Sequence, residues 1–324
     1  MLTVSRIEEA RAFLAGRLRA TPVEESPDLS RRLGVPVWLK LESLQVTGSF
    51  KVRGALWKLS RLSEAERRAE IATCSAGNHG KGIAWAARLL GLTPTIYVPK
   101  SVDSAKHRAM VALGAAVIVS EFAGYDDTEA WAREEIEKSG KVFVSPFDDE
   151  DIMAGNGGTL ALEVLQDVPE ARAFLLPVGG GGLSAGFSFL IKEKLPGATV
   201  VGCQLEASPG LKLSLESGRA VTRLPAVETV AGGLEGGLGE KTFEVLRTRI
   251  DRVALISEDE IFEGVRWMLE THQYLIEPSA AATVAACLTG KAGRFDAPLV
   301  VVLSGRNVGL EIQRRILGPP ASNR

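Results

Sequence analysis

"LLPVGGGGLSAG", residues 175–186, joins an apolar run to a second apolar run through four consecutive glycines. The run before the glycines predicts a buried strand, and "GLSAGFSFLIKEKLPG" after them predicts a helix. The amides of such a loop can approach an anion closely, and a helix N-terminus favours negative charge. The stretch therefore predicts a strand, a phosphate-binding loop and a helix in succession.

The same alternation of strand and helix recurs along most of the chain. "EIATCS" precedes "NHGKGIAWAARLLG", and "PLVVVLSG" precedes "NVGLEIQRRILG". Such a pattern is typical of parallel α/β proteins, which bind ligands outside the carboxyl ends of their strands. With about eight or nine strands, we expect two sheets in two domains. These are a small substrate-side domain, 61–147, and a large cofactor-binding domain, 1–60 plus 148–324.

Composition and charge exclude several classes of protein. The 324 residues are 45% hydrophobic and 24% charged, with a net charge of −2, which disfavours binding to nucleic acid or to an anionic membrane. Three scattered cysteines predict neither a disulfide framework nor a zinc site. No apolar run is long enough to span a bilayer, and the opening "MLTVSRIEEARAF" predicts an amphipathic helix rather than a signal peptide. We therefore expect a cytoplasmic protein.

A lysine occupies an unusual place in "TGSFKVRGA", residues 47–55. The stretch follows the strand-like "PVWLKLES" and opens a helical pattern, for which Thr47 and Ser49 are good N-cap residues. A cation in the first turn of a helix opposes the helix dipole, so Lys51 and Arg53 lie against the local preference. Lys51 is either a solvated lysine near a cap or an amine that is used chemically.

Two further strand–helix junctions carry polar groups. In "TCSAGNHGKG", residues 73–82, Ser75, Asn78 and His79 either bind a carboxylate or simply cap the helix. "VLSGRNVG" places Ser304 at the end of another strand. A lysine of the reactive type, an anion-binding turn, a phosphate-binding loop and a lone hydroxyl suit a phosphate-bearing aldehyde cofactor.

The glycine run also fits two other templates. Gly180, Gly182 and Ala185 match the dinucleotide-binding pattern, although four successive glycines fit several templates by accident. Gly182, Ser184 and Gly186 spell the GxSxG of hydrolases. That motif needs its serine at the tight turn, whereas Ser184 is predicted inside the helix, so the hydrolase interpretation is disfavoured.

Six stretches together resemble the fold-type II pyridoxal-phosphate enzymes, and within them the threonine/serine dehydratase and serine racemase group. They occur in family order between residues 40 and 309: "KLESLQVTGSFKVRGA", "SAGNHGKG", "PFDDEDIMAGNGGTLALEVL", "PVGGGGLSAG", "IEPSAAATVAA" and "LSGRNVG". The resemblance implies an α/β fold of the tryptophan synthase β-like architecture, with two domains built on parallel or mixed sheets.

The resemblance also implies a role for each motif. Lys51 would attach covalently to pyridoxal 5'-phosphate, Phe50 would lie against the ring, Asn78 would bind the phenolic oxygen, Ser304 would face the pyridine nitrogen, and Glu277 would lie near the ring and substrate. The phosphate would be held by Gly179, Gly180, Gly181, Gly182 and Leu183. The substrate carboxylate would be held by Ser75, Ala76, Gly77, Asn78 and His79.

The activity implied is that of an ammonia-lyase, which converts a β-hydroxy L-amino acid to a 2-oxo acid and ammonia. Alternatives are an amino-acid racemase, or a dehydratase of hydroxyaspartate, phenylserine or a hydroxyectoine-derived catabolite. A nicotinamide-dependent dehydrogenase and a catalytically silent binding protein remain open from outside this chemistry. We expect a homodimer that acts on a small amino acid.

This chain departs from the family pattern in several places. "AGNGGT" stands where the family has "AGQGT", and "SGRN" puts Arg306 near the ring. Gln204 and Gly210 occupy positions of a metal-binding Glu and Asp, so no metal ion is expected. Ala76 replaces the serine that delivers a proton in racemases, which favours a lyase. The chain stops soon after the catalytic motifs, so a regulatory domain and inhibition by isoleucine are not expected.

Overall fold

Two β-sheets organise the computed structural model, which describes residues 1–318. The strands are β1 Val23–Glu25, β2 Val37–Lys40, β3 Ile71–Cys74, β4 Pro94–Val98, β5 Ala116–Val119, β6 Val142–Phe143, β7 Ala173–Pro177, β8 Thr199–Leu205, β9 Arg252–Ile256 and β10 Leu299–Val302. The α-helices are α1 Val4–Leu14, α2 Pro27–Leu33, α3 Lys51–Ser60, α4 Glu64–Arg68, α5 Asn78–Leu89, α6 Ser104–Ala112, α7 Tyr125–Ser139, α8 Glu150–Met153, α9 Thr159–Asp167, α10 Gly182–Lys194, α11 Gly210–Ser217, α12 Glu240–Leu246, α13 Glu258–His272, α14 Pro278–Leu288 and α15 Leu310–Leu317.

The larger sheet has six strands in the order β1-β2-β10-β7-β8-β9. All neighbouring strands are parallel except β1, which pairs with β2 in the antiparallel direction. Helices cover both faces, because successive residues of a strand point to opposite sides. In β7, Leu175 belongs to one apolar cluster, and Phe174 and Leu176 belong to another.

The smaller sheet has four parallel strands in the order β5-β4-β3-β6. Its strands lie between residues 71 and 143, inside the segment predicted to form the small domain. The exact limits of that domain, residues 61 and 147, remain a prediction. In residues 1–318 no helix is both long and apolar enough to cross a bilayer.

Helix α3, which begins at Lys51, packs closely against α5. A Cβ added at Gly82 of α5 would lie 3.2 Å from the amide nitrogen of Val52. Helix α5 follows β3 of the smaller sheet, whereas the loop before α3 is bridged to the strand end of the larger sheet through Ser49 and Gly305. Lys51 therefore lies where the carboxyl ends of the two sheets face each other.

The "AGNGGT" departure folds as a π-helical turn, Ala154–Gly158, between α8 and α9. A π turn accommodates one extra residue within a helix, and such turns are frequent at functional sites. A Cβ on Gly155 would lie 2.6 Å from Cα of Gly54 in α3, and a Cβ on Gly157 would lie 1.8 Å from the carbonyl oxygen of Leu183 in α10. The turn therefore fills the space between the lysine helix and the helix that follows the glycine loop.

Gly157→Ala should destabilise the protein by about 3 kcal/mol, because the added methyl would overlap backbone atoms that cannot rotate away. Besides the Leu183 oxygen, the methyl would lie 2.4 Å from the amide nitrogen of Phe187. Gly197→Ala is the matched control, since nothing lies within 4 Å of its added Cβ. Urea unfolding monitored by circular dichroism measures both changes. Equal midpoints for the two variants would contradict this packing.

Candidate active site

Lys51 is the first residue of α3, and its side chain is half-buried. The N-cap is Phe50, and neither Thr47 nor Ser49 caps the helix with its side chain. Gly48 has φ +79°, a conformation that favours glycine and turns the chain into the helix. The Lys51 amine donates a hydrogen bond to the carbonyl oxygen of Pro146 at 2.8 Å.

Burial lowers the pKa of Lys51 to about 8, while the charge of Glu277 acts in the opposite direction. A lower pKa means that a larger share of the amine is neutral, and therefore nucleophilic and basic, near neutral pH. The amine also lies 5.3 Å from the centre of the Phe50 ring. This environment favours an amine that is used chemically over a solvated lysine.

The helix that carries Lys51 is anchored by buried ion pairs. Arg53 donates to both carboxylate oxygens of Glu42 and to both of Glu163, each at 2.8 Å. Arg53 and Glu42 are at most 1% exposed. Lys40 and Asp167 extend the network, with Lys40 Nζ 3.1 Å from Glu163 and 3.0 Å from Asp167. Arg53, which opposes the helix dipole, is thus compensated by two carboxylates.

The glycine loop presents backbone amides rather than side chains. In residues 1–318 the amides of Gly179, Gly180 and Gly181 donate to no protein acceptor. A Cβ on Gly179 would lie 2.2 Å from the Gly233 oxygen, and one on Gly180 would lie 2.4 Å from the ring of Phe147. Gly181 has φ +91°. Three free amides before a thirteen-residue helix form a site that fits a phosphate group.

Ser184 does not form a nucleophile elbow. It is 1% exposed, lies inside α10, and its hydroxyl donates to the carbonyl oxygen of Pro177 at 3.2 Å. A nucleophilic serine has to stand free at the turn between strand and helix. The structure therefore argues against the hydrolase interpretation of the motif, as the sequence did.

The turn after β3 leaves the N-terminus of α5 open. Its N-cap is Gly77, and no side chain caps the helix, so the capping interpretation of Ser75 and Asn78 is wrong. The Ser75 hydroxyl instead accepts a hydrogen bond from the amide of Gly77 at 3.2 Å. Ala76 stands between them and carries only a methyl group. The uncapped amides of this helix fit a carboxylate.

His79 is buried one residue inside α5. It is 2% exposed, and burial together with the positive charge of Lys51 lowers the pKa of its imidazole to about 3. The ring is therefore neutral at physiological pH and cannot act there as a cationic proton donor.

A hydrogen-bonded network joins Asn78 to the loop after β10. The Asn78 amide nitrogen donates to both oxygens of Glu277, at 2.7 and 3.0 Å. Asn307 donates its side-chain amide to the Asn78 oxygen at 2.7 Å and its backbone amide to Glu277 at 3.0 Å. Burial raises the pKa of Glu277, and the Asn78 hydrogen bond acts against this rise.

Ser304 lies beside the lysine turn. It is 3% exposed, and its carbonyl oxygen accepts a hydrogen bond from the Phe50 amide at 3.1 Å. Sequence reasoning placed Ser304 and Glu277 in the site but did not single out Asn307. The only signal for Asn307 was its place three residues after Ser304 in "LSGRNVG".

The lysine amine and the glycine loop border the same segment. Pro146 binds the amine, and the adjacent Phe147 lies against Gly180 and Gly182. A half-buried primary amine, a row of free amides and the Asn78–Glu277 pair match the aldehyde, the phosphate and the ring substituents of pyridoxal 5'-phosphate. The residues therefore fit this cofactor.

Gln204, which the family resemblance aligns with a metal-binding glutamate, has a structural role. Its side-chain oxygen accepts hydrogen bonds from the amides of Leu211 and Lys212, at 3.0 and 3.2 Å, at the start of α11. Within the described part of the chain, no group of three or more His, Cys, Asp or Glu side chains is placed to hold a metal ion.

Comparisons with known proteins agree with this geometry. Residues 14–305 match the family described as pyridoxal-phosphate dependent enzyme. The chain is 38% identical over 313 residues to the L-threonine ammonia-lyase of Geobacter sulfurreducens, covering 96% of this chain and 77% of that protein. It resembles the structure of maize serine racemase with a TM-score of 0.89 and 28% identity, covering 97% and 96% of the two chains. It resembles the crystal structure of a T.th. threonine deaminase with a TM-score of 0.86 and 35% identity, covering 95% and 99%.

Proposed function

Because the chain belongs to the pyridoxal-phosphate-dependent enzymes and is an ammonia-lyase of their threonine/serine dehydratase group, we propose that Lys51 is its catalytic base. The reaction converts a β-hydroxy L-amino acid to a 2-oxo acid and ammonia. The cofactor is pyridoxal 5'-phosphate, and the fold-type II architecture follows from the same relatives. The dehydrogenase interpretation of the glycine run is thereby set aside.

We propose that the cofactor is held at four places. Lys51 would bind its aldehyde carbon, the backbone amides from Gly179 to Leu183 would hold its phosphate, Asn78 and Glu277 would lie at the ring substituents, and Ser304 would face the ring nitrogen. When bound, pyridoxal phosphate supplies a conjugated electron sink for the substrate α-carbon. A neutral serine, unlike an aspartate, does not enforce protonation of the ring nitrogen.

The substrate is oriented by the turn after β3. The uncapped N-terminus of α5 and the Ser75 hydroxyl hold the α-carboxylate, which fixes the amino acid relative to Lys51. The Lys51 amine, with a pKa of about 8, is neutral often enough to take the α-proton. The Lys51 ammonium formed by this transfer supplies the proton with which the β-hydroxyl leaves as water. The observation that carries the proposal is the half-buried Lys51 amine, bonded to Pro146 next to the residue that packs on the glycine loop.

Racemisation needs a second group that exchanges a proton on the opposite face of the α-carbon. Ala76 has no such group, and the imidazole of His79 is neutral because burial lowers its pKa to about 3. We therefore expect elimination to exceed inversion, although serine racemases share this fold.

L-serine and L-threonine test the proposed reaction directly. We expect pyruvate from L-serine and 2-oxobutanoate from L-threonine, each released with an equal amount of ammonia and with negligible inversion of the substrate. Chiral chromatography after long incubation measures D-serine beside pyruvate. Faster accumulation of D-serine than of pyruvate would contradict a lyase and identify a racemase.

Capture of the cofactor by the cofactor-free protein should depend on pH. The neutral amine is the nucleophile, and burial lowers the pKa of Lys51 to about 8, so the rate should rise with pH and level off above about 8. Stopped-flow absorbance of the visible band over a pH series gives this midpoint. A midpoint near the value of a free lysine, about 10.4, would show that the amine is not buried as described.

We propose further that the enzyme is a cytoplasmic homodimer that acts on a small amino acid. The metabolic nature of its relatives supports the location, and the family supports the assembly. Light scattering of the purified holoenzyme tests the assembly, with twice the chain mass expected.

A further inference from the structure

Three cations lie near the Asn78–Glu277–Asn307 network: Lys81 bonds to Asn307, Arg306 precedes Asn307 in the chain, and the charge of Lys106 acts against the rise in the pKa of Glu277 that burial causes. Lys81 lies on α5, Lys106 lies on α6, and Arg306 lies in the loop after β10. Lys81 follows Asn78 by three residues, which places both side chains on one face of the helix. The Lys81 amine donates to the Asn307 side-chain oxygen at 3.0 Å.

The loop that carries Arg306 is fixed over the lysine turn. The Arg306 amide donates to the carbonyl oxygen of Gly48 at 2.9 Å, and the Arg306 side chain is exposed. The same loop reaches the start of α6, because a Cβ on Gly309 would lie 3.4 Å from the carboxylate of Asp103. Residues from three elements thus converge beside the Asn78–Glu277–Asn307 network.

Within residues 1–318 none of the three cations has a carboxylate within ion-pair distance. All the ion pairs of 4.0 Å or less in this part of the chain involve other cations. The nearby Glu277 is already bonded to Asn78 and Asn307, and one oxygen of Asp103 caps α6. Burial lowers the pKa of Lys81, and the charge of Arg306 lowers it further.

The other anions of the reaction already have their own binding groups. The cofactor phosphate has the glycine loop, and the substrate α-carboxylate has the open turn of α5. Neither accounts for Lys81, Lys106 and Arg306. A neutral substrate side chain, such as the methyl group of threonine, would leave these three positive charges with Glu277 as the carboxylate that acts on Lys81 and Lys106, whereas an anionic side chain would relieve their repulsion further.

We propose that the preferred substrate carries a second carboxylate on its β-carbon, and that Lys81, Lys106 and Arg306 bind it. The substrate class is thus a β-hydroxy acidic amino acid, of which 3-hydroxy-L-aspartate is the smallest member. This inference rests on the proposed function and narrows its substrate. Loss of water across the α–β bond, followed by addition of water and release of ammonia, converts 3-hydroxyaspartate to oxaloacetate without an external oxidant or reductant.

Steady-state kinetics of the holoenzyme test this preference. The threo and erythro forms of 3-hydroxy-L-aspartate are compared with L-threonine and L-serine by release of ammonia. We expect kcat/KM for one hydroxyaspartate form to exceed that for L-threonine by about tenfold or more. Arg306→Gln should reduce the ratio of kcat/KM for hydroxyaspartate to that for L-threonine by about tenfold, since Arg306 selects for the second carboxylate.

Arg88→Gln is the matched control. It removes one positive charge from the exposed C-terminal end of the same helix that carries Lys81, so the ratio should stay within about twofold of the unmodified enzyme. Calorimetric titration with succinate and with butyrate gives a readout independent of turnover. We expect succinate to bind the holoenzyme more tightly than butyrate, and Arg306→Gln to remove the difference.

The outcomes separate this inference from the proposed function. Turnover of L-threonine without preference for hydroxyaspartate, or an unchanged ratio in Arg306→Gln, would overturn the inference and leave the lyase intact. Absence of ammonia release from all four substrates would overturn the proposed function. In that event equal affinity for succinate and butyrate would overturn the anion site as well, whereas selective succinate binding would uphold it.

Discussion

Lys51→Ala should abolish the visible absorbance band of the purified protein and lower turnover by roughly 10⁴-fold. The substitution removes both the covalent attachment of the cofactor and the amine that takes the α-proton. Pro146 accepts a hydrogen bond from the Lys51 amine, and its neighbour Phe147 packs against Gly180 of the phosphate loop, so the lost amine is the one beside that loop. An absorbance scan and an ammonia-release assay measure the two effects.

Lys58→Ala is the control for this experiment. Lys58 belongs to the same helix but bonds to Asp149 at 2.7 Å, away from the amine of Lys51. The band and the activity of this variant should remain close to those of the unmodified enzyme. A normal band and normal activity in Lys51→Ala would refute the assignment of the catalytic base.

Arg53→Met should destabilise the enzyme by about 3–5 kcal/mol, because it leaves the buried carboxylate of Glu42 without a cationic partner and removes one of the cations that pair with Glu163. Arg53 is 1% exposed, so water cannot replace its hydrogen bonds. Since Arg53 is two residues from Lys51, cofactor affinity should fall with stability. Urea unfolding at a fixed cofactor concentration measures the loss.

Two variants show whether charge or packing causes this loss. Arg68→Met removes an exposed pair with Glu64 and should cost less than about 1 kcal/mol. The double variant Arg53→Met, Glu42→Gln removes the buried charge left unpaired and should recover part of the stability. A double variant less stable than Arg53→Met would show that the unpaired charge of Glu42 is not the cause.

Local patterns predicted the strand ends and the glycine loop well. β7, the loop and α10 follow the order of residues 175–186, because short apolar runs and glycines determine local structure with little help from the rest of the chain. The start of α3 at Lys51 also agrees with the sequence. The N-cap predicted for that helix, Thr47 or Ser49, does not agree. The turn around Gly48 is fixed instead by Asn307 and Gly305, which come from the other end of the chain.

Hydrogen-bond partners that are far apart in the sequence could not be predicted from local patterns. Asn78 and Glu277 are 199 residues apart, and Asn78 and Asn307 are 229 apart, so no local pattern reveals that they bond. Arg53 opposed the helix dipole in the sequence, and only the fold shows the carboxylates that compensate it. The extra glycine of "AGNGGT" was visible, but its folding into a π turn depends on the close approach of α3 and α10.

Borohydride reduction of the holoenzyme, followed by proteolysis and mass spectrometry, tests the central claim most directly. Reduction makes the bond between lysine and cofactor permanent, so the modified peptide identifies the attachment site. We predict that the added mass lies on Lys51, whose side chain is half-buried and whose amine has a lowered pKa. A cofactor mass on Lys81 or another lysine, with Lys51 unmodified, would contradict the account.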